Sequence, residues 1–212
     1  MSSIKLKHSS GNSMSIEAPA TNPASDLALK LPATVGAAGQ VLKNSSTAGT
    51  LEFGAGGITH IDTWRLDDDL TIPDGYITQH WSRATDTLTA QLGAAVTESS
   101  GLFTLPETGI WRITCQIECY SANECRWIDL QIRGSTDGFS SDETTIATGF
   151  TALFDTSGNV HQSCRTSCYY DCTNTGNNKI KVFLQDTGSG GTTESAASRN
   201  VSWIEFVKVA ET

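Results

Sequence analysis

The sequence predicts an all-β fold: an antiparallel sandwich, barrel or jelly roll. Many short segments alternate apolar and polar residues, which places every second side chain on one face of a strand. Turn residues separate these segments at regular intervals, and no segment carries a convincing helical pattern. The 212 residues are enough for one large β domain, or a moderate domain with a tail, and for a substantial hydrophobic core.

Residues 1–57 differ in composition from the rest of the chain, because Ser, Ala, Gly, Thr, Asn and Pro dominate there. Such a segment cannot enclose a core of its own. One interpretation is a disordered tail. The other is a segment ordered by packing on other chains, because residues 4–6, 27–31 and 50–53 are short alternating units between turn residues. Residues 54–57 form a glycine-rich linker, flexible by composition.

The clearest strands lie in the middle of the chain, on either side of the polar break at residues 121–124. Their apolar residues recur at every second position: Trp111, Ile113, Cys115, Ile117 and Cys119 before the break, and Ile128, Leu130 and Ile132 after it. Phe103 and Leu105 alternate in the same way just ahead of Pro106. We predict that the two central strands form an antiparallel pair in the core.

Further strands are predicted on both sides of this pair. They cover residues 58–66, 145–154, 160–170, 179–185 and 201–209, whereas residues 77–81 and 87–96 are short strands or loop. Loops are predicted at residues 137–143, 155–159, 174–178 and 186–200. Residues 67–69 are three consecutive aspartates without the spacing of a calcium-binding loop, so we interpret them as a solvated turn.

The charge of the chain excludes some partners. The net charge is −9, and no Lys or Arg cluster offsets it, so we expect no binding to nucleic acid. No apolar run approaches 18 residues, so we expect no membrane insertion. The first residues lack the apolar region of a secretory signal, which predicts that the chain is not Sec-exported.

Six cysteines are present, and most of them share strand faces. Cys115 and Cys119 fall on one face of a predicted strand, as do Cys164, Cys168 and Cys172 on another, which favours buried free thiols. A zinc site is the alternative, but the Cys-x-x-x-Cys spacing along a strand argues against it. Cys119 and Cys125 bracket a short turn and are the best candidates for a disulfide.

The first quarter of the chain carries three distinctive parts. They are Lys5-Leu6-Lys7-His8, the run at residues 24–32, and Gly39-Gln40-Val41-Leu42-Lys43 followed by Gly49-Thr50-Leu51-Glu52-Phe53. This region resembles the N-terminal region of tail-fibre and other appendage proteins of marine tailed phages, especially cyanophages. The resemblance implies a virion-attachment and trimerisation segment over residues 1–57, partnered by other virion proteins, in a particle assembled in the host cytoplasm.

The remaining chain carries a second resemblance. Phe103-Thr104-x-Pro106-x-x-Gly109-Ile110-Trp111 is similar to the Phe-x-x-Pro-x-x-Gly-Ile-Tyr signature of the C1q and tumour-necrosis-factor jelly rolls. Residues 163–182 and 201–206 resemble their late strands, although Gly176-Asn177-Asn178 replaces the Gly-Asp often found in that family. The resemblance implies a jelly-roll knob over residues 58–212 that forms a homotrimer, with its loops at the end away from the termini.

No catalytic motif is recognisable. None of the four histidines lies in a metal-binding or triad motif, and the glycines at 188–191 lack the following helix of a phosphate loop. The sequence also places no pair of carboxylates in one cleft, as a glycan hydrolase requires. We therefore predict no enzyme activity, no catalytic residue, no cofactor and no metal site.

A binding surface is better supported. If the last strand returns to the end that carries the termini, antiparallel alternation brings the turns at 121–125, 155–159 and 186–200 together at the opposite end. The candidate binding residues in these loops are Asn123, Glu124, Asp155, Asn159, Ser189, Thr192, Thr193, Glu194 and Arg199. The alternative is that the loops are only solvated. The five tryptophans lie in predicted strands, which favours packing over sugar stacking.

Together with these observations, the two resemblances imply a short tail fibre that binds a glycan or protein on the host surface through a trimeric knob. A capsid-decoration, head-fibre or collar protein with a structural role is the alternative, and a glycan-hydrolase tailspike is a more remote one.

Overall fold

The computed structural model describes residues 3–7, 11, 13–17, 20–21, 28–85, 89, 91–154, 158–187 and 190–212. The chain divides into two compact units, Met1–Gly56 and Gly57–Thr212. Two of the predicted binding residues, Asp155 and Ser189, lie outside the described residues, as does the first residue of the predicted 27–31 unit.

The first unit consists of two short antiparallel strand pairs. Strand β1 (Ser3–Lys7) pairs with β2 (Ser13–Glu17), and β3 (Gln40–Asn44) pairs with β4 (Leu51–Ala55). A parallel bridge joins Lys30 to Thr50. None of the side chains described between residues 28 and 54 is fully buried. The predicted short strands are therefore present, but this part of the unit encloses no core.

The second unit contains the remaining strands. They are β5 (His60–Leu66), β6 (Leu70–Thr71), β7 (Gly75–Tyr76), β8 (Trp81–Arg83), β9 (Thr97–Ser99), β10 (Leu102–Thr104), β11 (Gly109–Ser121), β12 (Cys125–Ser135), β13 (Thr144–Leu153), β14 (Val160–Cys172), β15 (Lys179–Asp186), β16 (Thr192–Glu194) and β17 (Trp203–Ala210). Among the described residues, no helix is long and apolar enough to span a membrane.

Two antiparallel sheets form a jelly-roll sandwich, which confirms the predicted fold class. Sheet I has the strand order β13-β12-β15-β10-β9, with β7 also paired to β15. Sheet II has the order β6-β16-β11-β17-β5-β8, and β14 pairs with β11. Strand β11 therefore lies at the centre of sheet II, between β14 on one side and β16 and β17 on the other.

The core lies between the two sheets and contains the apolar faces predicted from the alternation. All eight of the predicted inward residues of β11 and β12 have no exposed surface: Trp111, Ile113, Cys115, Ile117, Cys119, Ile128, Leu130 and Ile132. Phe103 is also fully buried, and its ring centroid lies 5.3 Å from that of Trp81 and 5.3 Å from that of Phe206. Alternation therefore identified the buried faces correctly.

The predicted pairing of the two central strands is wrong. β11 pairs with β14, β16 and β17 in sheet II, whereas β12 pairs with β13 and β15 in sheet I. The polar residues at 122–124 cross between the layers, and an extended chain covers the roughly 10 Å between packed sheets in about three residues. The alternation of apolar and polar residues predicts which face of a strand is buried, but it does not predict which strand is its hydrogen-bonded neighbour.

A short strand was also missed. β16 (Thr192–Glu194) lies within the predicted loop at residues 186–200 and pairs with both β11 and β6. Three residues are too few to establish a period of two, and the nearby glycines indicate a loop.

All six cysteines are free thiols, so the predicted Cys119–Cys125 disulfide is not formed. Both residues are fully buried, but they belong to strands of different sheets. The Cys125 thiol instead donates a hydrogen bond to the carbonyl oxygen of Trp127 over 3.2 Å. The other prediction, that strand-face cysteines act as small buried apolar residues, is confirmed for Cys115, Cys119, Cys164 and Cys172, whereas Cys168 is only half-buried.

Slow thiol modification is the result expected for the native protein. Burial raises the pKa of Cys164 and that of Cys168 to about 11, and it raises the pKa of Cys115 well above its usual value. At pH 8 these groups are therefore mostly protonated and react slowly. A colorimetric disulfide reagent should label the half-buried Cys168 before Cys115 or Cys164, and all six cysteines at once in denaturant. Rapid labelling of Cys115 in the native protein would contradict the buried assignment.

Candidate functional site

The described parts of the loops predicted to meet at one end of the sandwich lie at one end. Ser121 is the register partner of Val160, and Cys125 is that of Leu153, so the connections after β11 and before β14 lie at the same end. Thr71 opposes Thr192 in the same region of sheet II. We call this end, formed by residues 122–124, 154, 158–159, 187, 190–191 and 195–202 of the described chain, the far end. The entry of the unit at His60 lies at the other end, because His60 opposes Lys208 near the C terminus.

The far end presents most of the predicted binding residues that the structure describes. Asn123, Glu124, Asn159 and Arg199 are exposed, and Thr192 and Glu194 are half-buried. Thr193 is a correction, because its side chain has no exposed surface and its hydroxyl accepts a hydrogen bond from the Leu70 amide over 3.0 Å. Its role is to join β16 to β6, and it is not available to a partner.

A cluster of three side chains lies on the outward face of sheet II, close to the far end. Glu118, His161 and Glu194 come from β11, β14 and β16, which are neighbouring strands. One ligand atom from each of them lies within 4.8 Å of those from the other two. Nδ1 of His161 lies 2.7 Å from Oε2 of Glu194, and the Ser163 hydroxyl donates to Oε2 of Glu118. We call these three residues the Glu-His-Glu cluster.

Tyr120 holds the histidine of this cluster in place. Its ring stacks on that of His161, with centroids 5.2 Å apart and planes inclined by 26°. The Tyr120 hydroxyl donates to Oδ2 of Asp69 over 3.1 Å, and Oδ1 of Asp69 accepts from the amide and hydroxyl of Ser195 over 2.8 and 2.7 Å. Partial burial opposes ionisation of Asp69, but the hydrogen bonds from Ser195 and Tyr120 outweigh it and lower the pKa. Asp69 lies in the predicted turn, and in addition it links Tyr120 of β11 to Ser195 through these hydrogen bonds.

Sequence reasoning missed Glu118 and His161 as site residues. They are far apart in the chain and form no local motif. The signal that identifies them is the register, in which Glu118 opposes Glu194 directly and His161 opposes Tyr120, two positions further along β11. That register depends on strand pairings that alternation does not specify.

A second surface lies where β13 and β14 run beside each other. β13 pairs only with β12, and β14 only with β11, so each leaves one edge unpaired among the described residues. The two strands approach closely, since a Cβ atom at Gly149 would overlap the carbonyl oxygen of Arg165. Large aromatic side chains are exposed on these two strands and just after β13: Phe150 at 69%, Phe154 at 70% and Tyr169 at 70%. We call β13 and β14 with these residues the aromatic edge.

Three of the five tryptophans lie in the core or at this surface, and Trp64 and Trp203 are half-buried on β5 and β17. Trp111 and Trp81 are buried, as predicted. Trp127 is 37% exposed, and its ring lies edge-on to that of Phe150 with centroids 6.3 Å apart. It therefore extends the aromatic edge across the outer face of β12.

No protein-family model and no curated protein sequence matches the chain. The chain is similar in structure to Eiger TNF from S. frugiperda, with a TM-score of 0.54 and 13% identity over 74% of this chain and 96% of that one. It is also similar to murine APRIL at pH 5.0, with a TM-score of 0.50 and 11% identity over 71% of this chain and 98% of that one. These similarities show that the chain has a C1q/TNF-like jelly-roll fold.

Proposed function

We propose that the protein is a short tail fibre of a phage virion, and that its jelly-roll knob forms a homotrimer and binds the host surface through the far end. Residues 1–57 attach the knob to other virion proteins. The observation that carries this proposal is the polarity of the second unit, in which the chain enters at His60 and the polar loops lie at the opposite end. Such a knob directs its loop surface away from its point of attachment.

The chemistry of the far end suits a saccharide or a polar protein surface. Asn123 and Arg199 present amide and guanidinium donors, and Glu124 presents a carboxylate acceptor. All three project from loops on a rigid β scaffold, the usual arrangement for recognition.

The apolar exposure of the first unit supports attachment to other chains. Leu29 is 65% exposed, Leu31 71% and Val35 94%. A large apolar side chain left in water forgoes about 1.5–3 kcal/mol of burial energy, so covering these residues with a virion protein would stabilise the complex.

The aromatic edge supports self-association. Large aromatic side chains exposed beside the edge strands of a sheet are typical of a protein–protein contact surface. In a closed ring, each copy contacts the next in the same way, so the aromatic edge of every copy is covered by a neighbour. Three knobs on one fibre then present three far ends, which raises the avidity for a surface of repeated receptors.

Host binding is tested with two matched double variants of the full chain. Asn123→Ala with Arg199→Ala alters the far end, and Asp171→Ala with Asn177→Ala alters exposed residues at the other end. With fluorescent protein and a panel of marine cyanobacteria, the far-end variant should bind at least about tenfold less well than wild type, as expected when a few central contacts dominate. The control variant should bind like wild type.

Two outcomes overturn this proposal. Wild-type protein that binds no cell in the panel, or a far-end variant that binds as well as the control, would favour a structural decoration or collar protein. Release of reducing sugar from host polysaccharide would instead indicate an enzyme.

A further inference from the structure

We propose that the Glu-His-Glu cluster is a binding site for a divalent transition-metal ion of the zinc class. Glu118, His161 and Glu194 supply one imidazole nitrogen and two carboxylate oxygens on the outward face of sheet II. The inference is independent of host attachment, because it depends only on the side chains of one folded chain.

The donor set selects the class of ion. Zinc binds imidazole nitrogen and carboxylate oxygen, and three protein ligands leave a fourth position for water or another ligand. Calcium and magnesium prefer oxygen ligands, calcium six to eight of them, so a site with one imidazole and two carboxylates suits them poorly. With a neutral histidine, the two glutamates carry a charge of −2, which balances that of a divalent cation.

The geometry places the three ligands on rigid elements. Glu118 and Glu194 are direct register partners on β11 and β16, and His161 is held on β14 on the other side of β11. Their donor atoms are already within 4.8 Å of one another. Donors bound to one zinc ion at about 2.0–2.2 Å lie at most about 4 Å apart, so small rotations of the partly exposed glutamate side chains complete the site.

Repulsion between the two glutamate carboxylates favours the binding of a cation to the cluster. Two carboxylates directly opposite each other on adjacent strands destabilise a sheet. Here they do so in a chain whose net charge is already −9. The hydrogen bond from His161 engages Glu194, while Glu118 is bonded by the neutral Ser163 hydroxyl. A divalent ion between the two glutamates offsets their mutual repulsion, because both carboxylates are attracted to it.

Neighbouring side chains already orient the ligands. Tyr120 stacks on the imidazole ring, and Ser163 bonds the Glu118 carboxylate. Groups of this kind raise metal affinity because they fix the ligands before the ion arrives. Nδ1 of His161 is the ring nitrogen that would bind the metal, because it already faces Glu194. The ion would take the place of the proton that Nδ1 and Glu194 share.

The competing interpretation is an ordinary ion pair, and His80 provides the matched control for it. Nδ1 of His80 lies 4.0 Å from Oδ1 of Asp67, with a side-chain exposure of 30% against 47% for His161. It is a surface histidine beside a carboxylate that belongs to no three-ligand group among the described residues. Because its backbone φ is 65°, we substitute asparagine, which tolerates this conformation.

The test is calorimetric titration of ZnCl2 into untagged, reduced and EDTA-stripped full-length protein. We expect one saturable zinc site per chain. His161→Ala, Glu118→Gln and Glu194→Gln should each weaken zinc binding by at least about tenfold, the smallest loss typical even of supporting residues. His80→Asn should bind like wild type, and circular dichroism of each variant checks that the fold is retained.

Cobalt absorption provides a second readout of the ligand set. Co²⁺ in the site should give visible bands of nitrogen and oxygen coordination without the intense near-ultraviolet band of a cobalt-thiolate bond. The proposal is overturned by the absence of saturable binding at millimolar zinc, by unchanged affinity in the folded His161→Ala variant, or by a thiolate band, which would place the metal on cysteines.

Discussion

Replacing Phe103 with alanine is expected to lower the free energy of unfolding by about 3–5 kcal/mol, the usual cost of deleting a buried phenylalanine ring. Phe103 has no exposed surface and lies between the two sheets, against Trp81 and Phe206. Its ring also meets Trp64 edge-on, with centroids 6.0 Å apart. Removing it therefore leaves a cavity and forfeits several aromatic contacts at once.

Denaturant unfolding followed by tryptophan fluorescence measures this loss. Phe103→Leu is the matched control, because it keeps most of the volume and should cost about 1.5 kcal/mol or less. Similar losses in the two variants, or a loss below about 1 kcal/mol in Phe103→Ala, would mean that the sandwich does not close over this ring.

The inward faces of the strands could be predicted because they depend on local chemistry alone. A β-strand turns successive side chains to opposite faces, so one buried face leaves a mark at every second residue. Trp111 to Cys119 carry that mark, and all five of the alternate residues are fully buried. The pairing of these strands is a property of the whole sheet, and the sequence near Ser121 does not distinguish a hairpin from a crossing between layers.

The residues of the candidate site also fall into two groups: those that local patterns predict and those that depend on which strands pair. Counting strands was enough to place Asn123 and Arg199 at one end, because alternation of direction requires no knowledge of neighbours. The prediction for Thr193 is wrong, because a polar residue among glycines indicates an exposed loop, whereas Thr193 belongs to a strand between β11 and β6. The meeting of Glu118 with His161 could not be predicted at all, since it requires the register of β14 on β11.

Replacing Phe150 with aspartate is expected to convert the proposed trimer into monomers. Phe150 is 69% exposed on β13, the edge strand of sheet I, beside Trp127. A carboxylate enclosed by a neighbouring copy without a partner costs several kcal/mol, and each interface of a ring would contain one. Sedimentation velocity should therefore shift from three times the 22.6 kDa chain mass to a single chain mass.

Leu92→Asp is the control, because Leu92 is also an exposed apolar residue, at 44%, but lies away from β13 and β14. Its backbone hydrogen bonds to Ile61 do not involve the side chain, so the substitution leaves the local fold intact. The control should sediment like wild type, and both variants should give a β-sheet circular dichroism spectrum. Because aspartate on an open surface costs little, loss of the trimer in Phe150→Asp alone would locate the contact at the aromatic edge. A wild-type chain that sediments as a monomer, or a trimeric Phe150→Asp variant, would mean that the aromatic edge faces solvent or a different protein.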